Sequence, residues 1–264
     1  MKYMRMSFCL FFVLSLSLLG GCSSQKFVSD SDARSASDAP DVRRRVSLRM
    51  QLAIEYYQAG QLKSALEEVR QVLAISPNTA SAYSLRALIQ MDLNDTEHAE
   101  ENFQFAMKLE PKNSDIVNNY GWFLCKTNRE KESIAYFERV LNDRMYATPD
   151  KAMINAGVCS LRLKDIRNAE RYFMMAHQEQ PNNPSVNANL AKIFFDRAQY
   201  EKARSYIQRV LKDEIFAADV LWLAIRIENK MGDQGAVNNL GTQLRRRHPN
   251  SKEFALFQKG AFNE

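Results

Sequence analysis

Few side chains in this chain have the types and spacing that chemistry requires. The three histidines, His98, His177 and His248, lie far apart and do not follow the spacing of zinc ligands. The sequence has no Gly-x-Ser-x-Gly nucleophile motif, no phosphate-binding loop and no dinucleotide-binding glycine motif. The sequence therefore predicts a protein that is not an enzyme and has no cofactor, no metal site and no small-molecule substrate.

Cys22 is the side chain with the clearest chemical prediction. Lys2 and Arg5 precede an apolar run from Phe8 to Leu19, which is too short to span a bilayer and suits a signal peptide over residues 1–21. Two glycines and then Cys22 follow, and small residues before a cysteine resemble a bacterial lipobox. We therefore expect the Cys22 thiol to carry a diacylglyceryl group. The alternative is an ordinary signal peptide followed by an unrelated cysteine.

The residues after Cys22 predict where the protein is anchored. Two or three acyl chains hold a protein firmly in a membrane, because each buried methylene contributes about 0.8 kcal/mol. Ser23, rather than Asp, follows the cysteine, which by the sorting rules of bacterial lipoproteins implies the periplasmic face of the outer membrane. Residues 22–45 are rich in Ser and Asp and have few side chains that could enter a core, so we predict a disordered tether.

The charge balance argues against a nucleic-acid partner. Removing Lys2 and Arg5 with the signal leaves 34 basic residues against 31 acidic ones. The only basic runs are two groups of three arginines, at 43–45 and 245–247, and short runs of this kind are usually solvated surface.

A repeat of 34 residues organises the remainder of the chain. Pro77 and Pro111 are 34 residues apart, and Pro181 and Pro249 are separated by twice that period. This period is typical of the tetratricopeptide repeat (TPR), a helix–turn–helix unit. The sequence therefore predicts an all-α TPR solenoid, a right-handed superhelix over 46–251, with a C-terminal cap over 252–264. The six repeats are predicted at 46–79, 80–113, 114–149, 150–183, 184–217 and 218–251.

Small and large residues recur at complementary positions of these repeats. Position 8 is small, as expected where two helices cross, and holds Ala53, Ala87, Gly121, Gly157 and Ala191. Position 24 is large and holds Val69, Phe103, Phe137, Phe173 and Ile207. The sixth repeat departs from this pattern with Ile225 and Gly241, as terminal repeats often do because one of their faces is not covered by another repeat.

Two further cysteines lie on the first helices of adjacent repeats. Cys125 and Cys159 occupy positions 12 and 10 of repeats three and four. First helices of neighbouring repeats run side by side, and the periplasm is oxidising, so we predict a disulfide between them. The alternative is a pair of buried, reduced cysteines that act as small core residues.

Two rows of residues on the first helices are candidates for binding a partner. The first row, at position 6, consists of Asn119, Asn155 and Asn189 and resembles the asparagine ladder by which some TPR proteins hold a peptide backbone. The alternative is that these amides bond only to neighbouring backbone. The second row is apolar and is predicted to face the concave surface in repeats one to three. Its candidate anchors are Met50, Ile54, Tyr57, Leu88, Met91 and Trp122.

An exposed apolar stripe of this size normally marks an interaction site, which favours a protein partner. Two alternatives would leave it unavailable. The solenoid could curl tightly enough to bury these side chains against each other, or Phe27 and Val28 of the tether could fold back over them.

The octet from Asn118 to Cys125, within a lipidated six-repeat chain, resembles the type IV pilus biogenesis and stability lipoproteins, the pilotins of the pilus secretin. The resemblance runs from the lipobox to the last repeat. It implies that the protein carries secretin subunits to the outer membrane and helps them multimerise, with a short apolar secretin segment docked across repeats one to three. The alternatives are a lipidated scaffold for another envelope machine, such as barrel assembly or peptidoglycan enzymes, and an envelope hydrolase or its activator.

Overall fold

The fold is all-α. The computed structural model describes residues 30–212 and 216–263, which form thirteen α-helices and no strand. The predicted signal peptide and Cys22 lie outside these residues. The observed helix pairs agree with the predicted TPR solenoid.

The helices alternate between a first and a second helix of each repeat. The first helices are α1 (Asp30–Gln58), α3 (Ala80–Asp92), α5 (Ser114–Lys126), α7 (Pro149–Arg162), α9 (Pro184–Asp196) and α11 (Ala218–Met231). The second helices are α2 (Leu62–Ile75), α4 (Thr96–Leu109), α6 (Glu130–Leu141), α8 (Ile166–Glu179), α10 (Tyr200–Lys212) and α12 (Gln234–Arg247). A short helix, α13 (Lys252–Gln258), follows the last pair.

Helix α1 corrects one sequence-based expectation. It begins at Asp30, so residues 30–45 of the predicted disordered tether are helical, with Pro40 inside the helix. The prediction relied on the lack of residues that could enter a core. Residues 30–45 belong to the same helix as the fully buried Ala53, and adding residues to an existing helix is much less costly than starting a new one.

Each first helix is followed, within two residues of its end, by a residue with a left-handed backbone. This residue is always position 15 of the repeat, and its φ is 70° at Gly60, 62° at Asn94 and Asn128, 59° at Lys164, 57° at Ala198 and 77° at Gly232. A left-handed residue stops the helix and turns the chain, which here leads into the second helix. Glycine and asparagine adopt this conformation readily, whereas lysine and alanine adopt it at a cost.

The small residues at position 8 let the two helices of a repeat approach closely. A Cβ atom on Gly157 would lie 2.8 Å from the ring of Phe173, and one on Gly121 would lie 2.8 Å from the ring of Phe137. Both phenylalanines are fully buried. The aromatic ring of the second helix therefore occupies the volume that a larger residue on the first helix would need.

The tail packs against the last repeat. Helix α13 contacts both α11 and α12, and a Cβ on Gly241 would overlap the ring of Phe257. The residues beyond α13 are held as well, since Arg226 donates from Nε to the carbonyl of Phe262 at 3.0 Å. In the sixth repeat, Phe257 of the tail thus packs against Gly241 of α12. Gly241 is at position 24, where earlier repeats carry a large residue of their own.

Candidate protein-binding site

The side chains at position 9 of the first helices form a row whose character changes along the chain. We call it the position-9 row; it consists of Ile54, Leu88, Trp122, Val158, Lys192 and Arg226. The side chain of Ile54 is 41% exposed, and the next three are half-buried. Contacts of α3 with α5 and of α5 with α7 show that consecutive first helices are neighbours. The row therefore offers accessible apolar surface in the first four repeats and positive charge in the last two.

Polar contacts hold several side chains of this face in place. Tyr57 is half-buried and donates its hydroxyl to Oδ2 of Asp92 at 2.8 Å, which ties the end of α1 to the end of α3. Burial, together with the adjacent Asp92 carboxylate, raises the pKa of Tyr57 well above its usual value. The Lys126 ammonium lies 5.7 Å from the centre of the Trp122 ring, a cation–π contact that leaves the ring half-buried.

Position 12 is buried in repeats two and three, which corrects the assignment of Met91 as a docking residue. Met91 is 8% exposed and packs in a cluster with Phe103 and Phe123. Cys125, at the same position of the next repeat, is fully buried and bonded to a residue of α7. In these two repeats, position 12 packs into the core rather than lining the position-9 row, because three residues along a helix turn the side chain about 60° away from position 9.

Cys125 and Cys159 form a disulfide between α5 and α7. Their Sγ atoms are 2.05 Å apart and their Cα atoms 5.8 Å apart. The bond lies in a buried cluster with Phe137 and Tyr172, and Trp122 packs against the same cluster. The disulfide thus links repeats three and four directly beneath the accessible Trp122.

The asparagines at position 6 bond within the protein. Asn155 donates from Nδ2 to Oδ1 of Asn118 at 3.1 Å, and Asn119 donates to the hydroxyl of Ser84 at 3.2 Å. Asn189 donates to the carbonyl of Ser185 in its own helix at 2.8 Å. The amide nitrogens of all three residues are therefore engaged by the protein, so an asparagine ladder to a partner would have to compete with these bonds.

A second accessible region lies in the later repeats. A groove of about 670 Å³ runs along the first helices of repeats four to six and reaches the tail at Glu253; Leu161, Val220 and Trp222 contribute its apolar wall. Sequence reasoning overlooked it because the position-9 row turns cationic there. Lys192 and Arg226 line the same groove: Lys192 pairs with Asp196 at 2.6 Å, and the Arg226 guanidinium lies 4.7 Å from the centre of the Phe195 ring.

Within the described residues, no cluster of His, Cys, Asp or Glu could hold a metal ion. Over the same residues, no helix has both the length and the apolar character needed to cross a bilayer. The features described above are those of a surface that binds another protein.

Comparison with known proteins places this arrangement in a family. The tetratricopeptide repeat family matches residues 40–215. The chain is 28% identical over 209 residues to the type IV pilus assembly protein PilF of Pseudomonas aeruginosa, a match that covers 79% of this chain and 83% of that protein.

Two solved structures are similar over most of their length. The crystal structure of PilW, a widely conserved type IV pilus biogenesis factor, is 32% identical with a TM-score of 0.71, and the match covers 80% of this chain and 96% of PilW. The structure of P. aeruginosa PilF is 27% identical with a TM-score of 0.75, over 83% of this chain and 99% of that one. The chain therefore belongs to the tetratricopeptide repeat family and, within it, to the type IV pilus biogenesis factors.

Proposed function

We propose that this protein is an outer-membrane lipoprotein that binds secretin subunits during type IV pilus biogenesis. In this proposal, the Cys22 lipid holds the protein on the periplasmic face of the outer membrane. The TPR domain delivers secretin subunits there and promotes their multimerisation. No catalytic step is proposed, since a scaffold achieves this by binding alone.

The observation that supports this proposal is the accessible apolar part of the position-9 row. Ile54, Leu88 and Trp122 occupy the same position in three successive repeats, and none of them is buried. A row of apolar side chains on adjacent helices suits an apolar segment of a partner, since burial from water supplies the binding energy and the aromatic ring serves as an anchor. Tyr57, with its hydroxyl bonded to Asp92, offers its half-buried ring on the same end of the domain.

Affinity capture from cell envelopes tests the partner and the surface together. Ile54→Asp places a charge in the row, and Leu163→Asp is its control, because Leu163 is 40% exposed in repeat four and lies outside the row. We expect Ile54→Asp to weaken secretin capture tenfold to a hundredfold, which corresponds to about 1–3 kcal/mol. Leu163→Asp should capture secretin normally.

Circular dichroism of both variants checks that the helices are intact. Normal secretin capture by Ile54→Asp would move the site away from the position-9 row. Capture of barrel-assembly proteins or peptidoglycan enzymes in place of secretin would favour a scaffold for another envelope machine.

The anchor is tested separately through Cys22. We expect Cys22→Ala to leave the fold intact and to remove the protein from the outer membrane, as judged by membrane fractionation. Mass spectrometry that finds an unmodified Cys22 in the wild-type protein would refute the lipid anchor.

A further inference from the structure

A cavity of about 630 Å³ opens between α2, α3 and α4, at the boundary of the first two repeats. Its walls include Leu66, Tyr83, Arg86, Gln90, Asn102 and Phe105. None of these residues belongs to the position-9 row, so the cavity is separate from the surface proposed for secretin.

At two positions that line the cavity, the second repeat departs from repeats three to five. Position 23 is tyrosine in repeats three to five and is Asn102 in repeat two; the tyrosines are Tyr136, Tyr172 and Tyr206. Position 7 is apolar or aromatic in repeats three to six and is Arg86 in repeat two; the corresponding residues are Tyr120, Ala156, Leu190 and Ala224. The shorter amide leaves open the volume that a tyrosine ring takes up elsewhere.

Asn102 is bonded through both ends of its side chain. It is 7% exposed, and its Nδ2 donates to Oε1 of Gln90 at 2.8 Å and to the carbonyl of His98 at 2.7 Å. Its Oδ1 accepts from Nε of Arg86 at 2.8 Å and also from Nη2. Asn102 therefore fixes the orientation of the Arg86 guanidinium inside the cavity.

Arg86 keeps most of its hydrogen-bonding capacity. Two of its five N–H groups bond to Asn102, which leaves three without an acceptor among the described residues. No described carboxylate forms an ion pair with it, in contrast to Arg70 nearby, which is paired with Glu67 at 2.7 Å. The guanidinium lies 4.8 Å from the centre of the Tyr83 ring. Burial lowers the pKa of Arg86, as expected for a charge that the protein only partly compensates.

We infer that this cavity is a second binding site, which takes a carboxylate side chain from a peptide segment that also carries an apolar residue. The free edge of a guanidinium matches the two oxygens of a carboxylate. Phe105 and Leu66 offer the neighbouring apolar surface. Phe105 is 39% exposed, and its ring packs edge to face against the ring of Tyr83, with 4.5 Å between the ring centres.

The local charge favours one carboxylate over a polyanion. Glu101 lines the cavity, and the charge of Arg70 is already balanced by Glu67. The third basic group on the cavity wall, His98, is bonded to Asp95 at 2.8 Å. Arg86 is thus the cation of the wall that forms no described ion pair, and Glu101 disfavours a highly charged anion. One guanidinium beside apolar surface therefore fits an acidic peptide better than a phosphate-rich headgroup.

The test is a nuclear magnetic resonance titration of the protein with two matched probes, N-acetyl-Phe-Glu-amide and N-acetyl-Phe-Gln-amide. We expect the Glu probe to shift the Arg86 Nε–H signal and the Phe105 ring signals, and to bind at least tenfold more tightly than the Gln probe. Equal affinity for the two probes would overturn the carboxylate assignment.

Two variants link the binding to the cavity. Asn102→Tyr restores the residue that repeats three to five carry, so it should fill the cavity, preserve the fold and abolish binding of the Glu probe. Arg86→Gln should weaken that binding at least tenfold. Arg171→Gln is the control, because the Arg171 guanidinium likewise lies over a tyrosine ring, 4.0 Å from the centre of Tyr172, and should bind the probe normally.

Unchanged binding in Asn102→Tyr would overturn the site, whether or not Arg86→Gln folds. Inorganic phosphate is then added as a competing ligand. If phosphate displaces the Glu probe at equal concentration, the cavity accepts any small oxyanion and the peptide assignment is wrong.

Discussion

Asn155 of α7 donates a hydrogen bond from its Nδ2 to Oδ1 of Asn118 in α5, at 3.1 Å, across the boundary between repeats three and four. The Nδ2 of Asn118 in turn donates to Oδ1 of Asn119 at 3.5 Å, and the Nδ2 of Asn119 donates to the hydroxyl of Ser84 in repeat two. Asn118 is buried. Polar side chains thus connect three successive repeats along their first helices, in a region where an unpaired amide would be costly.

Replacing Asn155 should therefore lower stability. Asn155→Ala leaves the buried Oδ1 of Asn118 without its partner, and we expect the free energy of unfolding to fall by about 1–3 kcal/mol in a urea titration. Asn189→Ala is the control: among the described residues, Asn189 bonds only to a carbonyl of its own helix, so this variant should change stability by no more than about 0.5 kcal/mol. If Asn155→Ala kept its stability but bound the partner more weakly, the asparagines at position 6 would instead form a ladder that holds a peptide backbone.

The disulfide between Cys125 and Cys159 should contribute substantially to stability. Closing a loop with a sequence separation of 34 restricts the unfolded chain, which corresponds to about 3–4 kcal/mol in the chain-entropy description. Thiol titration of denatured, unreduced protein should find neither cysteine reactive, and a reductant should lower the melting temperature. In the double variant Cys125→Ser/Cys159→Ser, the reductant should leave the melting temperature unchanged. Two reactive thiols in the wild-type protein would disprove the bond.

The left-handed residue after α9 offers a stabilising substitution. Ala198 has a φ of 57°, which costs an alanine more than a glycine, so Ala198→Gly should raise the free energy of unfolding by about 0.5–1 kcal/mol. The reverse substitution, Gly232→Ala at a φ of 77°, should lower it by a similar amount. Thermal unfolding followed by circular dichroism compares the two. A loss of stability in Ala198→Gly would show that the turn is not strained.

The contact between Gly157 and Phe173 should tolerate no added methyl group. Because a Cβ on Gly157 would lie 2.8 Å from the ring, Gly157→Ala should lower the free energy of unfolding by about 1–3 kcal/mol. Phe173→Leu should partly rescue Gly157→Ala, because the smaller side chain frees the space that the methyl group needs. Additive losses in the double variant, measured by chemical denaturation, would mean that the two residues do not compete for one volume.

The repeats were predictable because their signals are local and periodic. The small residue at Gly157 and the aromatic residue at Phe173 recur at the same two positions in successive repeats, a pattern typical of stacked helix pairs. The start of α1 was not predictable, since the polar segment after Asp30 carries no pattern of burial. Its composition shows only that it lacks core residues, and a helix can form without them.

The candidate site was predicted less completely, for a geometric reason. Ile54 is exposed and Trp122 is half-buried, whereas Met91 is buried. How far such a side chain is exposed depends on how each repeat is rotated against the next. That rotation is set by packing between repeats, which a single repeat motif does not encode. The bond between Asn155 and Asn118 and the cavity beside Arg86 likewise depend on pairs of residues from neighbouring helices.

The contact of Phe257 with Gly241 has a consequence for self-assembly. Identical repeat arrays can grow end to end into fibres when each terminus accepts the next copy. Here α13 contacts both helices of the last pair, and Phe257 occupies the space beside Gly241. Another copy could therefore dock on that surface only if α13 moved away. Helix α1 differs, because its Leu48 and Leu52 are 52% and 42% exposed and leave apolar surface available.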